Sequence, residues 1–509
     1  MKSSYLCKKK IMKIRVRFAP SPTGPLHIGG LRTALYNYLY AKKHGGDFIL
    51  RIEDTDQKRL VKGSEDYIVE ALTWAGIEPD EGGRKEGPFG PYNQSGRRDL
   101  YQKHVEQLVG EGKAYYAFDS DEDLQKLREE DTSKGGAFLY SAQNRLRLKN
   151  SLTMTSQEVD KALAEKPFVI RLLVQPNHEI VVSDNVRGTI RVNSNTIDDK
   201  ILMKKDGFPT YHFANVIDDH LMEISTVIRG EEWLPSLPFH DLLYTAFGWK
   251  SPTFIHLPLI LKPSGKGKLS KRDGDKLGIP VFPISWNEEN IGFRELGFLP
   301  EAMTNYLALL GWNNTSGQEI YKMNQLIEEF HIEGIQKRGA RFDYTKAKWI
   351  NQQHLSSYTP EDLLNQFASY FRPLKSFSRE NKIKIVSLIA SRIDLLSDIG
   401  AQIEVFIKNP SIDEKIARKI LKKNPIAILE KSKVLLEQKP FANLKGELLD
   451  WAKSENVAIG SVMQTLRLSL VGSLSGPDLF SIMEILGKDV TLDRLVSATS
   501  FFVNLNLDS

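Results

Sequence analysis

His27 is the first residue whose setting suggests chemistry. It stands in Arg15-Val-Arg-Phe-Ala-Pro-Ser-Pro-Thr-Gly-Pro-Leu-His-Ile-Gly-Gly30, just ahead of Leu31, Ala34, Leu35, Tyr38 and Leu39 at helical spacing. A helix start offers free N–H groups and a positive dipole end, which suit the phosphates of a nucleotide. Gly29 and Gly30 let a ligand approach the backbone. By itself such a histidine reads first as a capping or packed ring. A second place of this kind is Pro263-Ser-Gly-Lys-Gly-Lys268, which leads into Leu-Ser-Lys-Arg272. It is flexible and basic, and Lys268 and Lys271 are suited to phosphate charge. Taken alone it reads as a solvated loop. The G-x-G-x-x-G fingerprint is absent, which argues against a dinucleotide.

The elements that must position these residues follow from patterning. Ile14, Val16 and Phe18 alternate with Arg15 and Arg17, the period of a short strand, and Pro20, Pro22 and Pro25 then forbid regular structure. A helix runs to Gly45-Gly46, and Phe48-Ile-Leu-Arg-Ile52 is a second strand. This is the first half of a nucleotide-binding α/β unit. Gly63-Ser-Glu-Asp66 opens a helix with Ile68, Val69, Leu72 and Trp74 on its apolar face. Between 93 and 205 helical stretches such as Arg98–Glu111 mix with short strands at 168–174 and 188–192, which reads as an α+β insertion. The α/β pattern resumes near Asp206, with strands expected at 211–217 and 225–229 and a helix at 236–247, followed by the segment Phe254-Ile-His-Leu-Pro-Leu-Ile-Leu261. Residues 285–350 read as mostly helical. Amphipathic helices follow at 379–399, 413–422 and 444–453, after a capped start at Thr359-Pro360-Glu-Asp362.

Composition bounds the class. A chain of 509 residues exceeds one hydrophobic core and predicts several domains. Lys+Arg 69 against Asp+Glu 64 is a mild basic excess, which permits a nucleic-acid partner without requiring one. With the single cysteine Cys7 there is no internal disulfide and no cysteine-based zinc site. No apolar run reaches a membrane span, and a cytoplasmic protein is expected. Residues 1–11 lack the apolar core of a signal peptide and read as a disordered leader, with Met12 an alternative start.

Pro20-Ser-Pro-Thr-Gly-Pro-Leu-His27-Ile-Gly-Gly30 resembles the first signature of class I aminoacyl-tRNA synthetases, in the form carried by bacterial glutamyl-tRNA synthetases. Lys268-Leu-Ser-Lys-Arg272, about 240 residues on, is similar to the second signature, and the two in order are far more specific than either alone. The resemblance extends through Arg51-Ile-Glu-Asp-Thr-Asp56, Gly90-Pro-Tyr-Asn-Gln-Ser95, Thr210–Asp219 and Arg229-Gly-Glu-Glu-Trp233. It implies a multidomain fold, α/β plus all-α. Residues 12–92 and 206–284 would form a Rossmann-like catalytic domain, and 93–205 an inserted domain gripping the tRNA acceptor end. Residues 285–350 would form a helical stem-contact region, and 351–509 an α-helical anticodon-binding domain. A helical rather than β-barrel C-terminal half favours the glutamyl over the glutaminyl type.

The implied reaction is ATP-dependent attachment of glutamate to tRNA(Glu) by a monomer, through a glutamyl-adenylate. Positioning and charge neutralisation do most of the work in such chemistry. By motif position, His27, Gly29, Gly30 and Lys271 would meet ATP, with Lys268 assisting catalysis. Arg17, Tyr211 and Arg229 would read the side-chain carboxylate and Glu53 the ammonium. Ser21 and Asn215 would be neutral partners and Trp233 a pocket wall. Mg²⁺ would arrive with the nucleotide. Some relatives hold zinc in the insertion, but this chain has Tyr116-Ala-Phe-Asp119 there and no nearby cysteine, so no metal ligand is expected. Arg341, Lys346, Lys348 and Trp349 are the candidate tRNA contacts. The rival readings are an enzyme that also charges tRNA(Gln), and a tRNA-binding protein without activity.

Overall fold

The computed structural model describes residues 13–507 apart from 134 and 137. The leader expected over 1–11, with Cys7, lies outside the described residues. The chain divides into two compact units, one reaching to Glu295 and including Pro300–Ala347, the other Leu296–Leu299 with Lys348–Ser509.

The first unit opens with β1 (Arg15–Phe18), α1 (Ile28–Lys43), β2 (Asp47–Leu50), α2 (Ser64–Trp74) and β3 (Glu81–Gly82). β1 pairs parallel with β2, and β2 parallel with β3. All four residues of β1 are buried, as expected of a parallel strand covered on both faces. Its two arginines therefore need acidic partners. Arg15 finds Asp47 at 2.8 Å and Glu81 at 2.8 Å, and Arg17 finds Asp219.

The chain continues through α3 (Arg98–Gly110), β4 (Ala114–Ala117), α4 (Asp121–Ser133), α5 (Ser156–Glu165) and β5 (Val169–Leu172). Next come β6 (Glu179–Asp184), β7 (Gly188–Asn193) and β8 (Ile201–Met203). β4, β5 and β8 make an antiparallel sheet over Tyr115, Tyr140 and Leu148. The β6–β7 hairpin, inside the segment expected as the insertion, pairs instead through Asp184 with Phe254 of the later nucleotide-fold strand. That strand is β10 (Thr253–Leu257), preceded by α6 (Tyr211–Leu221), β9 (Thr226–Gly230) and α7 (Leu237–Phe247).

β9 and β10 are parallel, and Ser225 joins β9 to β1. Its N–H donates to the Arg15 carbonyl at 3.0 Å and its Oγ accepts the Arg15 N–H at 2.9 Å. The sheet thus runs one way from β1 to β3 and the other way from β9 to β10. Ligands bind in doubly wound sheets at the carboxyl ends of the strands flanking such a reversal.

Two local expectations are corrected. The strand expected over 211–217 is the helix α6. Thr210 caps it in an extended conformation, and Phe213, Ala214, Val216 and Ile217 are buried at helical spacing. The odd-numbered alternation of Tyr211, Phe213, Asn215 and Ile217 masked that period. As a helix it carries Tyr211, Asn215 and Asp219 at intervals of four along one face. The segment 285–350 is less helical than expected: α-helix is confined to Pro300–Leu309, Met323–Glu329 and the start of Tyr344–Leu355. Asn287 and Asn290 hydrogen-bond their own turns in the irregular stretch. In the segment 254–261 the strand ends before Pro258, after which Ile260–Leu261 pairs with Ala340–Arg341.

The second unit is helical, with no strand among its described residues. The helix expected over 379–399 stops at Ile389 and is followed by short 3₁₀ turns before Ile399–Ile407. The last helix, Leu479–Leu507, breaks at Gly487, whose φ of 81° suits glycine. Leu429, Leu444, Leu466, Leu495 and Phe502 form the core.

Leu35 sits fully buried on α1 where that helix packs on β1, β2 and β9. Leu35→Ala is expected to lower the unfolding free energy by about 2–5 kcal/mol, read by urea denaturation.

Candidate active site

At the carboxyl ends of β1 and β9 lies a cavity of about 470 Å³. Its walls include His27, Gly29, Gly30, Lys268 and Lys271 at one end, and Arg17, Ser21, Glu53, Tyr211, Asn215, Arg229 and Trp233 at the other. The segments that carry these residues are far apart in sequence and meet only here. Arg341, Lys346, Lys348 and Trp349 do not line it. Arg341 and Lys346 belong to the first unit, where Lys346 pairs with Glu319. Lys348 and Trp349 belong to the second.

His27 is the N-cap of α1, its Nδ1 accepting the Gly29 N–H at 3.0 Å. The ring proton therefore sits on Nε2, which is buried and has no hydrogen-bond partner among the described residues. Burial, then Lys271 and Lys268, push its pKa down to about 3, so the ring is a neutral donor. Gly30 has a steric reason to lack a side chain, since a Cβ would come within 2.5 Å of Leu26. The two signature loops touch: the Lys271 ammonium lies 3.4 Å from where a Cβ on Gly24 would stand. Lys271 has no ion pair among the described residues, and burial lowers its pKa. Lys268 is engaged by Glu232 at 2.7 Å. A capping box between Ser270 and Asp273 fixes this loop where it becomes a helix.

The other end is built on buried charge. Arg17 holds both oxygens of Asp219, at 2.9 and 3.1 Å. Arg51, wholly buried, reaches Asp219 at 2.7 Å and Glu53 at 3.3 Å. Burial would raise the Asp219 pKa, but Arg17 and Arg51 outweigh it and the net shift is down. Glu53 also accepts from Asn215 at 3.1 Å, and burial raises its pKa despite Arg51 and Arg17. Asp218 takes Arg97 at 2.7 Å, Gln94 at 2.8 Å and the Tyr101 hydroxyl at 2.7 Å.

Arg229 is surrounded by neutral acceptors. Nε donates to His256 Nε2 at 3.0 Å, and Nη1 lies 3.2 Å from the Tyr211 hydroxyl and 3.3 Å from His240 Nδ1. His256 in turn contacts Asp184 at 2.7 Å, and His240 contacts His212 at 3.0 Å. Trp233, 38 % exposed, stacks on Tyr211 with ring centroids 4.2 Å apart. The sequence by itself assigns no role to Arg51, Asp184, His212, Asp219, His240 or His256. Arg51, His212 and Asp219 stood inside quoted motifs, but Asp184, His240 and His256 had no local signal.

Paired signature loops on a doubly wound sheet, with a cavity at the switch point, define a class I synthetase catalytic domain. Residues 13–349 match the family model for tRNA synthetases class I (E and Q), catalytic domain, and residues 362–499 match an anticodon binding domain. A glutamate–tRNA ligase of Flavobacterium johnsoniae is 49% identical, covering 96% of this chain and 99% of that one. One of Porphyromonas gingivalis is 48% identical, covering 95% and 98%. The crystal structure of a glutamate tRNA ligase from Elizabethkingia meningosepticum, in complex with its amino acid, superposes with a TM-score of 0.92. It is 47% identical and covers 96% of this chain and 99% of that one. The chain belongs to the glutamate–tRNA ligase family.

Burial lowers the pKa values of His240 and His256 below the ordinary histidine range, that of His240 well below it. Below about pH 6.5 the unfolded chain binds more protons at these rings than the folded chain does, so stability falls as the pH drops below that value. The His240 ring, the more strongly shifted, contributes a slope of up to about 1.4 kcal/mol per pH unit. Urea unfolding at pH 7.5 and 5.5 is expected to show this loss, and His240→Gln is expected to flatten the slope by about one proton.

Proposed function

We propose that this chain attaches glutamate to tRNA(Glu), using ATP and releasing AMP and diphosphate. The observation that carries this reading is a single cavity with two chemically distinct ends. One offers the His27 Nε2–H donor and the Lys271 and Lys268 ammonium groups. The other offers a buried arginine without a carboxylate partner among the described residues. The family and the amino-acid complex of a relative at 47% identity support it.

In the first step the glutamate α-carboxylate attacks the α-phosphorus of ATP and diphosphate leaves. Arg229 receives the γ-carboxylate, with Tyr211 and Trp233 walling its site. Arg17 adds positive potential and Glu53 takes the ammonium, helped by Asn215 and Ser21. His27 donates to a phosphate oxygen from the start of α1. Lys271 faces the leaving diphosphate, and Lys268 joins it on release from Glu232. In the second step a ribose hydroxyl of the terminal adenosine takes the acyl group and AMP leaves.

Both carboxylates on the cavity wall are engaged, Glu53 by Asn215 and Arg51 and Glu232 by Lys268. This fits Mg²⁺ held through nucleotide phosphates, where it offsets their charge. The enzyme needs no zinc. Residues 93–205 grip the acceptor end, 285–350 contact the stem and 351–509 the anticodon. Arg341, Lys346, Lys348 and Trp349 touch RNA. The enzyme acts as a cytoplasmic monomer; no helix among the described residues is long and apolar enough to cross a membrane.

Charging assays with glutamate, ATP–Mg²⁺ and purified tRNA(Glu) test the proposal, which fails if no glutamyl-tRNA forms. A parallel assay with tRNA(Gln) measures the breadth of tRNA choice. Lys271→Ala is expected to lower kcat for adenylate formation at least a hundredfold and leave tRNA affinity within about twofold, because its charge is used in the transition state. Dialysis against a zinc chelator is expected to leave activity intact once Mg²⁺ is restored, and recovery only with zinc would contradict this.

A further inference from the structure

Two arginines face the same cavity and are held in opposite ways. Arg17 places Nε and Nη2 on the two oxygens of Asp219. Arg229 has no carboxylate within ion-pair distance among the described residues, and its donors meet His256, His240, Tyr211 and the Trp233 carbonyl. We propose that His256 and His240 are specificity-determining positioning residues for the glutamate side chain. Each offers Arg229 a neutral lone pair, so the guanidinium is oriented toward the cavity while its charge stays uncompensated. This rests on reading the cavity as a glutamate site.

The protonation pattern follows from the arginine, which only donates. His256 Nε2 and His240 Nδ1 must both carry lone pairs. The His256 proton is then on Nδ1, donated to Asp184 at 2.7 Å, and the His240 proton is on Nε2, donated to His212 Nδ1 at 3.0 Å. Asp184 is anchored by the Val186 and Arg187 amides at 3.0 and 2.7 Å, so the width of the imidazole keeps its charge off Arg229. Burial, and the neighbouring arginine after it, hold His240 neutral. A carboxylate in direct contact with Arg229 would do there what Asp219 does for Arg17. It would cancel the charge that separates the carboxylate of glutamate from the amide of glutamine.

The test uses the full-length enzyme with tRNA and four variants: His256→Gln, His256→Leu, His240→Gln and His240→Leu. Glutamine retains an acceptor for Arg229 and a donor for the residue behind, whereas leucine retains neither. KM and kcat are measured for glutamate and ATP, glutamine is measured as a competitor, and thermal unfolding is followed in parallel. Each leucine variant is expected to raise the glutamate KM at least tenfold, change the ATP KM by less than twofold and weaken discrimination against glutamine at least tenfold. Each glutamine variant is expected to recover most of that loss. Should His256→Leu fail to fold, the His240 pair, on a different element, carries the same comparison. Equal losses in glutamine and leucine variants, or a fall in stability with glutamate preference intact, would make the histidines scaffold and overturn the proposal. A wild-type enzyme that fails to charge glutamate would instead reject the reading of the cavity before any variant is compared.

Discussion

The contact on which the first unit depends is the pair of arginines that share Asp219. Arg17 stands on β1, Arg51 follows β2 and Asp219 ends the apolar face of α6, so one carboxylate ties together three elements distant in sequence. Buried charges are tolerated only when paired and hydrogen-bonded, and removing one partner of such a pair typically costs about 3–5 kcal/mol. Each further charge recruits another segment. Asp218 brings Arg97 and Gln94 from the turn before α3, and Glu53 brings Asn215. The buried charges behind the cavity thus join segments that are distant in sequence.

The same cavity separates charges that hold the fold from charges left for a ligand. Arg51 and Arg17 are spent on carboxylates of the protein. Arg229 and Lys271 have none among the described residues, and they mark the two ends. Preorganised, uncompensated charge in a desolvated site stabilises an opposite charge more strongly than water does, because no reorganisation is required when the ligand arrives. The Arg229 end is built on strands and on the helix α6. The Lys271 end pairs a helix N-cap with a glycine-rich basic loop.

The helical unit uses a buried arginine for yet another purpose. Arg494 has no ion pair among the described residues, and donates to the carbonyls of Val405, Lys408 and Leu470 at 2.7–2.8 Å. Val405 and Leu470 lie in the last turns of Ile399–Ile407 and Ile459–Val471, and Lys408 is the C-cap of the first. A cation is favourable there because helix carboxyl ends carry unsatisfied carbonyls and negative dipole charge. One side chain thereby caps two helices.

The sequence alone determined what depends on local order. The strand–proline loop–helix around His27, the cap at Thr359, the helical second half and the two signature loops were all legible, because turn chemistry and hydrophobic period act over a few residues. Even there α6 reads as a strand, since a helix with apolar residues on several sides also alternates. Tertiary structure decided which charges are spent and which remain. Arg17 and Arg229 look alike in the chain, and only the fold brings Asp219 to the first and His256 and His240 to the second. Asp184 lies in a hairpin assigned by order to the insertion, yet pairing with β10 sets it behind His256. Such partners are contributed by elements up to about 200 residues apart, and no periodicity encodes a contact between segments that meet only when the sheet closes.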